Sequence, residues 1–159
     1  MDLDPRIHFV VATAIIEKDG KYLIAKRAAH EKAFPNLWTV PGGKLVTHEY
    51  KHLPQVEGYV GWYNVVEWVL RKEVKEEVGL EIGRPDYVCD VVFIRPDGYP
   101  VVTLSYWAPY KSGEVVLCKD LTEYAWVTLE EAKKYELING IWDELEQTER
   151  LIKAKSNTS

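Results

Sequence analysis

The stretch that most constrains this chain is Asn64 to Leu80, N-V-V-E-W-V-L-R-K-E-V-K-E-E-V-G-L. Val66, Leu70, Val74 and Val78 recur at steps of four, which predicts an amphipathic helix. Asn64 with Glu67 three residues on reads as a capping box at its start. Gly79 reads as the left-handed residue just past its end. The acidic residues are the anomaly. On a helical wheel Glu77 lies about 20° from Val66, inside the apolar stripe, with Glu73 and Glu76 beside it. Glu73–Glu76 and Glu73–Glu77 are like-charge pairs one turn apart, in the last turns, where the helix dipole also disfavours anions. Two such charges ~4 Å apart repel by roughly 1 kcal/mol in water and by about 4 kcal/mol at an effective dielectric near 20. Lys72 is spaced to pair with Glu76, whereas Glu73 and Glu77 have no partner at helical spacing. Two readings follow. The cluster is either a solvated acidic face among Arg71, Lys72 and Lys75, or a set of hard oxygen ligands for a divalent cation.

The rest of the chain supplies strands for this helix to cover. Phe9 to Ile16 is a β-rich run, Asp19-Gly20 a two-residue turn and Tyr22 to Arg27 a returning strand. Arg27 closes that strand before a loop over Ala28 to Asn36, and is either solvated or placed for an anion. Leu37 to Val40 is a short strand running into Pro41-Gly42-Gly43-Lys44, read as a turn that could also let backbone approach a ligand, with Lys44 near a phosphate. Val46 to Tyr63 is irregular, broken by Pro54, Gly58 and Gly61, yet rich in Tyr and Trp. Such a segment must pack on the domain, on a second subunit or on a flat ligand. His48 and His52 lack the helical pattern a metal pair needs. After the helix, Asp86 to Arg95 and Val101 to Tyr110 are strands joined by a Pro96-Asp97-Gly98 turn. Gly113 to Leu117 reads as a short strand, Lys119 to Glu123 as a polar loop and Tyr124 to Val127 as a strand. Thr128 with Glu131 caps a short helix over Leu129 to Tyr135, and Ile141 to Lys153 is helical, with fraying from Lys155. The order predicts one α+β domain with a mixed sheet, spanning residues 1–155, followed by a disordered tail over 156–159.

Composition narrows the function classes. At 159 residues the chain has length for one proper core, and a net charge of −5 with no Lys/Arg block argues against a nucleic-acid partner. The apolar runs fall well short of the ~18 residues of a membrane span, so no membrane partner is expected. Cys89 and Cys118 lack C-x-x-C spacing and fit free thiols in a reducing, cytoplasmic setting, although a disulfide stays open.

Gly43, Glu49 and the run Glu73-Val74-Lys75-Glu76-Glu77-Val78-Gly79-Leu80 together resemble the signature of the Nudix hydrolase family, G-x5-E-x7-R-E-U-x-E-E-x-G-U with U apolar. The resemblance covers nearly the whole chain, with an N-terminal hairpin and a Trp126-Val127 strand before the closing helices. It implies an α/β/α sandwich with a catalytic loop-helix-loop, and it favours the cation reading of the acid cluster. By the resemblance, Glu73, Glu76, Glu77 and the Gly42 carbonyl would bind Mg²⁺ or Mn²⁺, while Arg27, Lys44 and Gly43 would meet substrate phosphates. Asp120 and Glu123 compete for a further acid from the loop before the Trp126 strand, with Glu123 the nearer to the strand. Trp38 and the aromatic insertion at about 50–63 would stack a base.

Two departures stand out. Lys72 replaces the family's Arg, keeping charge but losing the planar fork. About fifteen extra residues separate Glu49 from the helix, so Glu49 either folds back or cedes its role to Asn64 or Glu57. The implied activity is Mg²⁺-dependent hydrolysis of a nucleoside diphosphate derivative: a nucleoside triphosphate, a nucleotide sugar or a dinucleotide. The alternatives are a nucleotide-sensing domain of the same fold, and an interaction protein whose aromatic insertion forms a homodimer interface.

Overall fold

A computed structural model describes residues 2–158. Eight strands form one mixed sheet: β1 (Phe9–Lys18), β2 (Lys21–Arg27), β3 (Trp38–Thr39), β4 (Gly42–Lys44), β5 (Glu81–Ile82), β6 (Asp86–Ile94), β7 (Pro100–Ser112) and β8 (Leu121–Val127). The helices are α1 (Thr47–Tyr50), α2 (Val65–Val78), α3 (Leu129–Ala132) and α4 (Ile141–Ser156). The β-rich run and the Asp19-Gly20 turn make the expected hairpin, with Glu17 opposite Tyr22. β1 also lies parallel to β7, Phe9 opposite Val101 through Glu17 opposite Pro109, which places the two longest strands at the centre. A parallel pair needs a long crossover, and the segment holding α2 supplies it.

Strand alternation then separates two cores. Ala12, Ala14, Ile16, Leu23 and Ala25 face α2 and pack on Leu70, Val74 and Val78. Ile15, Tyr22 and Ile24 point the other way, under Val127, Ala132, Ile141 and Leu145 of β8, α3 and α4. Helix, sheet, helix is therefore the layer order, as expected for an α/β/α sandwich.

Several local expectations are corrected. Asn64 precedes α2 as foreseen but sits at φ 60° and makes no side-chain cap, while Glu67 turns instead to Arg71 at 2.7 Å. Pro41-Gly42-Gly43-Lys44 is no turn: Gly42–Lys44 pairs with β1, Thr13 opposite Gly42 and Ala12 opposite Gly43. Residues 113–117 form no strand, β8 begins at Leu121 and α4 continues through Ser156, past the expected fraying point. Ser159 of the expected tail lies outside the described residues. Gly79 closes α2 at φ 74°, and Thr128 Oγ1 accepts from the Glu131 amide at 3.1 Å, both as read. Cys89 and Cys118 are free and half-buried. No helix among the described residues is long and apolar enough to cross a membrane.

Candidate active site

The acid cluster opens into a cleft of about 240 Å³ walled by the last turns of α2, the end of β2 and the loop entering β8. Glu73, Glu76 and Glu77 form one wall, and Arg27, Glu31 and Asp120 the other. Glu77 follows from the wheel: it borders the apolar stripe of α2, so folding the stripe onto the sheet buries it. Burial first, then the charge of Glu73 and a hydrogen bond to it, push the Glu77 carboxyl up to about 8; the Gly42 amide and the Arg27 charge oppose this. The crowding of acids is thus written into Glu77, whose carboxyl holds its proton more tightly than an ordinary glutamate.

β4 explains why glycine stands where it does. A β-carbon on Gly43 would overlap the Glu73 carboxyl, and one on Gly42 would come within 2.5 Å of the Ala12 carbonyl oxygen. The strand thus runs directly beneath α2, and the Gly42 amide reaches the Glu77 carboxylate.

Lys72 is the hub of the helix wall. Its ammonium stands 3.0 Å from Glu73, 3.3 Å from Glu76 and 3.3 Å from Glu49. Burial pulls its pKa down, but the hydrogen bonds and charge of Glu73, helped by Glu49 and Glu76, outweigh that and hold it above its ordinary value. Glu49 therefore folds back across the extra residues, as an ion pair without hydrogen-bond geometry. Lys72 serves three carboxylates as a point charge where a guanidinium would offer a fork.

On the opposite wall, Arg27 is pinned by the Ala33 carbonyl at 2.8 Å and by Glu31 at 3.0 Å. The Asp120 carboxylate accepts from His30 Nε2 at 2.9 Å, and this contact holds it below the usual range. Ligand atoms of His30, Glu31 and Asp120 lie within 4.8 Å of one another, the one such grouping among the described residues. Glu31 and His30 were not singled out in the sequence, because a loop has no periodicity to mark them. The i,i+4 spacing of Glu31 from Arg27 was the available signal.

Four expected contributors stand elsewhere. Glu123 pairs across the ladder with Lys26, at 3.2 Å, on the face of the sheet away from α2. A register shift between Lys26 and Arg27 turns Leu121 toward the α2 core while Glu123 points the other way. Asp120, not Glu123, is the loop acid of the cleft. Trp38 lies edge-on to Tyr135 at 4.7 Å, within the α3–α4 core, so it is not a base platform at the cleft. Lys44 pairs with Val11, which alternation puts on the far face from Gly43 and Glu73, and it does not line the cleft. The insertion packs on itself and on the start of α2: Trp62 against Tyr50 at 5.2 Å, Trp62 Nε1 donating to the Leu53 carbonyl at 2.9 Å, and His52 against Trp68. None of its residues lines the cleft.

The chain as a whole is similar to known proteins. The NUDIX domain family model matches residues 6–147. A protein of Klebsiella pneumoniae named nucleoside triphosphatase NudI is 26% identical over 140 residues, covering 82% of this chain and 89% of that one. The crystal structure of a MutT NUDIX hydrolase from Burkholderia pseudomallei superposes with a TM-score of 0.71 at 26% identity, covering 89% of this chain and 98% of that one. The NUDIX domain of Shewanella oneidensis NrtR, solved with ADP ribose, shares the fold at a TM-score of 0.70 and 17% identity, over 95% of this chain and 94% of that one.

Proposed function

This chain belongs to the Nudix family, and on that premise we propose that it hydrolyses the diphosphate linkage of a nucleoside diphosphate derivative with a divalent cation, Mg²⁺ or Mn²⁺, in the cleft. The observation that carries the reading is the meeting of Glu73, Glu76 and Glu77 with Glu31 and Asp120 around the single guanidinium of Arg27. Five carboxylates beside one Arg is a poor anion site by itself and a good hard-cation site. The donor chemistry fits: these are hard carboxylate oxygens crowded on one helix wall, and the raised Glu77 carboxyl marks a place where positive charge is favoured. Glu73, Glu76 and Glu77 would hold the cation, with Asp120 contributing from the facing loop. When bound, such a cation neutralises phosphate charge and lowers the pKa of water.

The chain's own groups supply the rest. Arg27, fixed by Ala33 and Glu31, presents its remaining donors to a phosphate oxygen. Lys72 keeps Glu73 and Glu76 oriented. A carboxylate of the cleft not engaged by the cation would accept the proton of the attacking water. The similarity to a nucleoside triphosphatase puts nucleoside triphosphates first among substrates. The setting we infer is cytoplasmic, consistent with two free thiols.

The test is a panel of nucleoside triphosphates, assayed for phosphate with and without added pyrophosphatase, and of ADP-ribose, nucleotide sugars and dinucleotides, whose phosphomonoester products are assayed for phosphate with added alkaline phosphatase. Phosphate seen only with pyrophosphatase, and only with Mg²⁺ or Mn²⁺, is the expected result for a triphosphate. Tight nucleotide binding without product in either metal would sink the hydrolase reading. Asp120→Asn should cost about tenfold or more in kcat, ~1.4 kcal/mol of barrier, while Glu123→Gln should leave it unchanged.

A further inference from the structure

The walls of the cleft hold acids, Arg27, Cys118 and Leu121, and no aromatic ring. One ring does stand beside it. Phe34 lies in the loop that follows β2, and Arg27 Nε donates to the carbonyl of its neighbour Ala33 at 2.8 Å. Standard peptide dimensions then hold the Phe34 Cα within about 6 Å of Arg27 Nε.

Phe34 is anomalous twice over. Its side chain is 43% exposed, belongs to neither core and, among the described residues, pairs with no other ring. Its backbone is left-handed, at φ 51°. That region strains a residue with a β-carbon, and Pro35 further pushes the residue before it toward extended backbone. The chain reversal does not require the strain. The Leu37 amide donates to the Phe34 carbonyl at 3.4 Å across Pro35 and Asn36, the residue pattern of a type II turn, whose one left-handed position is Asn36 at φ 62°. What the Phe34 φ sets is the tilt of the peptide whose carbonyl meets Arg27. Glycine would set it without strain. A phenyl ring held in strain, with no packing in return, marks a side chain kept for contact outside the chain.

We infer that Phe34 is the platform on which the nucleobase stacks while substrate phosphates meet Arg27, which rests on the phosphate role proposed for that guanidinium. The chemistry names the occupant. Of the groups joined to a phosphate chain held at Arg27, the base is the one with a flat π face, and an exposed phenyl ring stacks on any base.

The experiment compares wild type, Phe34→Gly and Phe34→Trp by thermal melts and by titration calorimetry in Mn²⁺. The probes are α,β-methylene ATP, which resists cleavage at the α–β linkage, and inorganic tripolyphosphate, which has no base. Phe34→Gly should melt no lower than wild type, because the left-handed backbone costs glycine nothing, and should bind the methylene nucleotide about tenfold more weakly. Tripolyphosphate should bind the two alike, and Phe34→Trp should keep the nucleotide affinity. A Phe34→Gly variant that melts lower, that binds the nucleotide as tightly as wild type, or that loses both probes equally would overturn the inference. So would a wild type that binds neither probe, or a Phe34→Trp variant as weak as Phe34→Gly. Failure here and failure of the hydrolase reading look different. A wild type that cleaves no nucleotide yet binds one through Phe34 sinks the hydrolase alone. One that cleaves, with nucleotide affinity unmoved in Phe34→Gly, sinks the platform alone.

Discussion

Each face of the sheet carries an inward glutamate, half-buried on one side and fully buried on the other, and the two are held by different means. On the α2 face Glu77 lies among acids, with Glu73 its nearest partner. On the α4 face Glu144, 7% exposed, takes its hydrogen bond from the Ser105 hydroxyl, which in turn meets Thr13 Oγ1 at 3.1 Å. Burial raises both carboxyls. Glu144 is satisfied by a hydroxyl donor and asks for nothing from outside. Glu77 faces another carboxylate and is relieved only by a positive charge. The same residue type is thus structural on one side of a strand pair and available for chemistry on the other, and the neighbours decide which.

The sharpest way to break this contrast is Glu77→Gln. Kinetics with Mn²⁺ should show kcat lowered by about 10³-fold, on the order of 4 kcal/mol of barrier, while Glu144→Gln stays within twofold of wild type. Equal losses in the two variants would dissolve the distinction. Next in size is Gly43→Ala, whose β-carbon must displace the Glu73 carboxyl. A shift of about 1 Å in a cleft ligand should cost roughly 10²-fold in turnover, with little change in nucleotide binding measured by titration calorimetry.

The third effect is thermodynamic. A carboxyl whose folded pKa lies above its unfolded one contributes stability that is full below the unfolded value and is lost as pH rises through the folded value. For Glu77 that window runs from its ordinary 4.5 to about 8. In chelator, the melting temperature of wild type should therefore fall relative to Glu77→Gln across that range, by several degrees, and saturating Mn²⁺ should remove most of the difference. The smallest effect is that of Glu144→Gln. Its amide oxygen still accepts from Ser105, so stability at neutral pH should change by about 1 kcal/mol or less in urea titrations. Its sign is favourable at high pH, because the variant has no carboxyl to ionise.

Much of this was readable in the chain because periodicity records burial. Val66, Leu70, Val74 and Val78 located α2, and the misplaced Glu77 marked the cleft. Gly79 and Thr128 were legible because a left-handed residue and a hydroxyl cap are local requirements. What was not legible depends on strand register. Whether Glu123, Lys44 or Trp38 faces α2 is settled by which residue opposes which, and in β8 by a single shift opposite Lys26 and Arg27. Spacing along the chain carries no such information. Gly42–Lys44 read as a turn for a related reason: two glycines signal close approach, and here what approaches is a helix rather than a reversal of the chain. Asn64 deceived because its spacing to Glu67 mimics a cap, while its backbone turns left-handed to bring the insertion onto the helix.

The end of α2 is stitched to the segment that follows β7. The amide of Val116 donates to the Val78 carbonyl and that of Cys118 to the Glu77 carbonyl, each at 2.9 Å, and the Ala28 amide donates to Asp120 at 2.9 Å. The two walls of the cleft are therefore mechanically one piece, though some forty residues separate them in the chain. Between them, β7 stays at the centre of the sheet, and only the turn joining β6 to β7 stands outside that clasp. Descendants of this gene could lengthen, trim or repaint that turn while the spacing of the acids stays as it is.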